Sequence, residues 1–60
     1  MSALQTFVQQ IKEYGIFVKR VECLYLNLEY YSIDDETTAV IIYGKDGNVE
    51  HARFSKKLIG

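Results

Sequence analysis

Leu4, Phe7, Val8, Ile11 and Tyr14 recur at intervals of three and four residues, with Gln5, Gln9, Gln10, Lys12 and Glu13 between them. That spacing draws one apolar stripe along a 3.6-residue period and predicts an amphipathic helix over about residues 3–14. Ser2, with Gln5 three positions later, offers a capping-box start, and Gly15 stands where a left-handed residue would end the helix.

Beyond Gly15 the period changes. Leu24, Leu26, Leu28 and Tyr30 alternate with Cys23, Tyr25, Asn27, Glu29 and Tyr31, a two-residue repeat that predicts a strand over about Val21 to Tyr31. A second helix carrying Val21, Leu24, Tyr25 and Leu28 on one stripe is the competing reading. The aromatic content and the length of the alternation favour the strand. Ile16 to Val18 either extend this strand or bridge helix to sheet. Ser32 to Glu36 is polar and acidic and reads as a turn, Thr37 to Tyr43 is a β-branched run, and Gly44 to Asn48 holds the hairpin signal Asp46-Gly47 before a last strand over Val49 to Phe54. The tail from Ser55 to Gly60 is expected to fray. The fold expected is α+β, a single domain over residues 1–60 in which one N-terminal helix packs on a three-stranded antiparallel meander, in the order α-β-β-β.

Register sorts the side chains onto faces. With Tyr31 opposite Thr37 and Tyr43 opposite Val49, one face collects Leu26, Leu28, Tyr30, Val40, Ile42, Ala52 and Phe54, a floor for the helix. Leu26, Leu28, Val40, Ile42 and Phe54 of this floor, with Leu4, Phe7, Val8 and Ile11, supply the expected core. The other face carries Cys23, Tyr25, Asn27, Glu29, Tyr31, Ala39, Ile41, Tyr43, Val49, His51 and Arg53. One helix covers one side of a sheet, so Tyr25, Ile41, Tyr43 and Val49 are expected to form an exposed patch, and with Tyr31, His51 and Arg53 they make the candidate protein interface. Tyr25 and Tyr43, side by side in this register, are its expected anchors. Glu29 and Arg53 share a row either side of Ala39 and can pair or reach a partner.

Composition narrows the function classes. A chain of 60 residues buries about 60% of its unfolded surface, and small scaffolds of this kind commonly lean on disulfides, a metal or association. One cysteine and one histidine make an internal disulfide impossible and a structural zinc site improbable, which leaves association and a homodimer. Seven basic against eight acidic residues give no broad positive field for nucleic acid or an anionic membrane. No leader pattern and no membrane-length apolar run stand in the sequence, and a lone thiol fits a cytoplasmic setting.

The remaining chemistry is thin. Cys23 and His51 share the expected open face but fall on its two outer strands, roughly 10 Å or more apart, beyond the reach of a nucleophile–base pair. Asp34-Asp35-Glu36 lacks the alternate-residue spacing of a calcium loop, and Gly44 and Gly47 precede no helix that could cradle a phosphate. The expectation is therefore a non-enzymatic module without cofactor or metal that binds or occupies a larger protein, in the manner of accessory proteins of phages and mobile elements. Single-stranded nucleic acid on a tyrosine-rich sheet is the alternative.

Overall fold

The computed structural model describes residues 2–56. Helix α1 (Ala3–Tyr14) leads into strands β1 (Ile16–Glu22), β2 (Leu26–Ser32), β3 (Thr37–Gly44) and β4 (Val49–Lys56). The strands form one antiparallel sheet in the order β1-β2-β3-β4. The α+β class is as expected, with four strands in place of three. The expected fraying from Ser55 does not begin there, because β4 continues through Lys56; residues 57–60 lie outside the described part.

Helix α1 starts as its sequence dictates, with Ser2 Oγ accepting the Gln5 N–H at 3.1 Å. Its end differs from expectation. Gly15 has an extended backbone, φ −86°, and glycine is required for space rather than for handedness. A Cβ there would stand 2.7 Å from the Ile11 carbonyl oxygen and 3.1 Å from Tyr31 Cβ.

The extra strand comes from a turn inside the expected Val21–Tyr31 strand. The chain reverses at Leu24 and Tyr25, where the Cys23 N–H donates to the Leu26 carbonyl at 2.8 Å, and Ile16 to Val18 become the start of β1. Neither glycine nor proline stands at this tip, and no non-glycine residue among those described has a positive φ. A reversal built from apolar residues in ordinary backbone conformations leaves no compositional mark.

Two turns fix the remaining register. At the β2–β3 connection Asp34 Oδ1 accepts the N–H groups of Glu36 and Thr37, each at 2.8 Å, an Asx-type turn that sets Tyr31 opposite Ala39. This differs by two residues from the expected pairing with Thr37, so every side chain keeps its face. At the β3–β4 hairpin Gly47 takes φ +88°, its N–H donates to the Gly44 carbonyl at 3.0 Å, and Tyr43 faces Val49 as expected. The register then slips: Ile42 pairs with His51 and Ile41 with Ala52. Glu50 is the extra residue of this bulge, and from there β4 is turned over relative to a regular hairpin. Ala52 and Phe54 join Ala39 and Ile41, while His51 and Arg53 join Ile42 and Val40.

Helix α1 packs on the Ala39–Ile41 face. Val8, Ile11, Tyr31, Ala39, Ile41 and Ala52 form the buried cluster, with Leu4, Phe7, Ile33, Tyr43 and Val49 packed against it. The expected floor was thus the wrong one for β2 and β3: Leu26, Leu28, Tyr30, Val40 and Ile42 project from the other side. Of that floor only Ala52 and Phe54 meet the helix side, Phe54 through an edge-to-face contact with Phe7 at 5.2 Å between centroids. Two properties suit the chosen face. The small side chains of Ala39 and Ala52 let the helix approach the sheet, and Tyr31 and Tyr43 project polar tips that find partners nearby. The Cα positions span 33 × 28 × 14 Å, so the molecule is two layers thick and one side of the sheet is bare.

Candidate interaction surface

The residues expected to form the interface fall in three places. Ile41 is wholly buried and Tyr31 nearly so, and Tyr43 and Val49 pack against the same cluster beneath α1. Tyr25 is 74% exposed, but at the β1–β2 tip beside Leu24 rather than next to Tyr43, whose β2 partner is Asn27. Only His51 and Arg53 stand on the bare side of the sheet. The expected apolar patch is therefore the core. Cys23 is exposed at the β1–β2 turn, and His51 lies on β4 at the opposite margin, with β2 and β3 between them.

The tyrosines under the helix serve a polar cluster centred on Glu29. Its Oε1 accepts the hydroxyls of Tyr31 at 3.2 Å and Tyr43 at 3.0 Å, and its Oε2 accepts Arg20 Nη1 at 3.2 Å. Arg20 also reaches Glu22 at 3.6 Å. Lys12 of α1 places its Nζ over the Tyr43 ring, 5.4 Å from the centroid, and this interaction with the Tyr43 side chain raises the Lys12 pKa. Burial, followed by the neighbouring Glu29 charge, raises the pKa of Tyr31. The expected row of Glu29 with Arg53 does not exist, because the β4 bulge puts Arg53 on the far side and Arg20 of β1 takes its place. Three donors satisfy the Glu29 carboxylate, which ties β1, β2 and β3 together at the edge of the core.

The bare face has its own order. One row across the sheet reads Lys19, Tyr30, Val40, Arg53 and the next reads Val21, Leu28, Ile42, His51. Val40 is 6% exposed yet takes no part in the helix-side cluster; it is buried among the side chains of its own face. Leu26, Leu28, Tyr30 and Ile42 are half-buried there, and Val18, Lys19, Tyr30, Ser32, Thr38 and Val40 line a shallow groove of ≈ 700 Å³ at one end. Lys19 Nζ sits over the Tyr30 ring at 5.2 Å from its centroid. Among the described residues neither Lys19 nor Arg53 has a carboxylate partner. One acid, Glu50, reaches this face at the hairpin end: a Cβ on Gly44, which pairs with Leu26, would stand 2.6 Å from its Oε1.

Leu28, Tyr30, Val40 and Ile42 were expected beneath the helix and lie on the side it leaves open, because the more aliphatic face was chosen for the helix; the β4 bulge in turn moves His51 and Arg53 to that side. One signal was available in the small pair Ala39 and Ala52, which marks where a helix can come closest. Among the described residues no helix is long and apolar enough to cross a membrane. Comparison of the chain with protein-family models, curated proteins and solved structures gave no match.

Proposed function

We propose that this chain is a small, non-enzymatic protein-binding module that presents the bare face of its sheet to a partner. The observation that carries this reading is the second apolar centre, formed by Leu28, Tyr30, Val40 and Ile42 on the side that α1 leaves open. Surfaces of this kind, apolar in the middle and charged at the margins, suit association with another protein. The polar cluster on the covered face is consistent with a structural role, since the Glu29 carboxylate is already occupied by Tyr31, Tyr43 and Arg20.

Self-association, expected from chain length, fits the sheet edges better than this face. Strands β1 and β4 each have one unpaired side, open to pairing with another chain. Two bare faces brought together would set the cations Lys19 and Arg53 of one copy against a face that carries the same cations.

Affinity capture from cell extract with the wild-type chain and with Leu28→Ser, compared protein by protein, tests the reading. A partner held by the wild type and lost by a folded Leu28→Ser chain is the expected result. Identical sets of captured proteins would remove the bare face from consideration.

A further inference from the structure

Building on the protein-binding reading, we infer that the occupant of the bare face is an amphipathic helix of the partner with carboxylates on both flanks of its apolar stripe. The face has the matching pattern. Cations occupy the outer strands, Lys19 on β1 and Arg53 on β4, and the apolar pair Tyr30 and Val40 lies between them. With neighbouring strands about 4.8 Å apart, the two cationic positions are separated by roughly 14 Å. A helix is about 10–12 Å across with its side chains, so one laid along β2 and β3 sets its apolar stripe on Leu28, Val40 and Ile42 while its flanks reach Lys19 on one side and Arg53 on the other. Helix α1 already shows that a helix can be seated on this sheet, with Val8 and Ile11 in one buried cluster with Ile41 on the opposite face.

Charge decides among the possible occupants. Arg20, on the covered side, has Glu22 and Glu29 as partners, whereas Lys19 and Arg53 have no carboxylate among the described residues. An acidic helix supplies the missing charges, and a second copy docked face to face adds more cations. Single-stranded nucleic acid needs adjoining aromatic faces on which successive bases can stack, but the two aromatic rings in these rows, Tyr30 on β2 and His51 on β4, stand in different rows with β3 between them, and the Lys19 ammonium lies over the Tyr30 ring. An anionic lipid surface needs a set of protruding apolar side chains; Val18 at the β1 edge is exposed, but Leu28, Tyr30 and Ile42 are half-buried and Val40 at the centre is 6% exposed.

Amide shifts of the labelled chain test the assignment, with four probes titrated in turn: a helix-forming peptide with a leucine stripe and glutamate flanks, the same peptide with lysine flanks, an oligothymidylate, and phosphatidylserine vesicles. The glutamate peptide is expected to shift Leu28, Tyr30, Val40 and Ile42 and to weaken as salt rises. The double variant Lys19→Glu/Arg53→Glu changes exposed side chains and should fold; it is expected to lose about tenfold or more in affinity for the glutamate peptide and to favour the lysine peptide. Equal binding of both peptides, with no effect of the charge reversal, would overturn the inference. So would shifts on this face produced only by the oligonucleotide or the vesicles, or by none of the probes. The capture experiment separates the two levels: a partner lost by Leu28→Ser but kept by the charge-reversed chain leaves the protein-binding face standing and rejects the acidic helix.

Discussion

The two faces of this sheet are made from the same four strands, yet they treat charge in opposite ways. On the covered face Glu29 is 14% exposed and accepts from Tyr31, Tyr43 and Arg20. On the bare face Lys19 and Arg53 flank Tyr30 and Val40, and no acid is paired with either among the described residues. A charge beside a packed helix must be satisfied from within, because water is displaced and an unmet group costs about 1–3 kcal/mol. A charge on an open surface keeps its hydration and needs no partner. The contrast separates side chains that hold the fold from side chains available to something else.

The largest expected effect comes from truncating the centres of the two faces. Ile41 is the largest side chain that is fully buried, and Ile41→Ala should cost about 2–5 kcal/mol, enough to unfold much of so small a domain. Leu28→Ala, on the half-buried bare face, should cost about 1–2 kcal/mol, in proportion to the smaller area withdrawn from water. Chemical denaturation of the two variants side by side measures the difference. Equal losses would mean that the bare face is as much a part of the core as the covered one.

A smaller effect is expected from the charges. Glu29→Ala leaves two tyrosine hydroxyls and Arg20 without their shared acceptor and should lower stability by about 1–3 kcal/mol. Arg53→Ala should change it by less than about 0.5 kcal/mol. If Arg53→Ala proved as costly as Glu29→Ala, the cation would be holding the fold and could not be counted as free for a partner.

Much of this arrangement was legible in the sequence, and the failures have physical causes. Residues Leu4 to Tyr14 repeat over three turns, so helix α1 was visible together with its Ser2 cap. The Asp46-Gly47 hairpin was visible because only glycine sits easily at φ +88°. The Leu24–Tyr25 reversal was hidden because it uses apolar residues without a special backbone conformation. The deeper miss was the side of the sheet that α1 covers. Alternation shows which residues share a face within a strand, but the choice between two apolar faces rests on the Glu50 bulge, on the small residues Ala39 and Ala52, and on the reach of Tyr31 and Tyr43 to Glu29. Those are relations between strands, and the tyrosines that suggested an exposed surface became parts of the core.

The smallest expected effect lies at alkaline pH and concerns the covered face alone. Lys12 has its pKa raised above the usual 10.5 by its interaction with Tyr43, and Tyr31 has its pKa raised above the usual 10.0 by burial and then by Glu29. In both cases the folded chain holds the proton more tightly than the unfolded chain does. The stability they contribute is therefore fully present below about pH 10, where both groups are protonated in either state, and is lost as pH rises through the higher folded values. Loss of the Lys12 proton removes a cation from the Tyr43 ring, and loss of the Tyr31 proton sets a phenolate against the Glu29 carboxylate. Thermal unfolding followed from pH 8 to 12 should show a midpoint that falls above pH 10, and Tyr31→Phe should lessen that fall because it removes one of the two titrating groups. The charge-reversed Lys19→Glu/Arg53→Glu chain should retain the wild-type fall through Lys12 and Tyr31. A profile altered as much by the bare-face variant as by Tyr31→Phe would show that the two faces do not titrate separately.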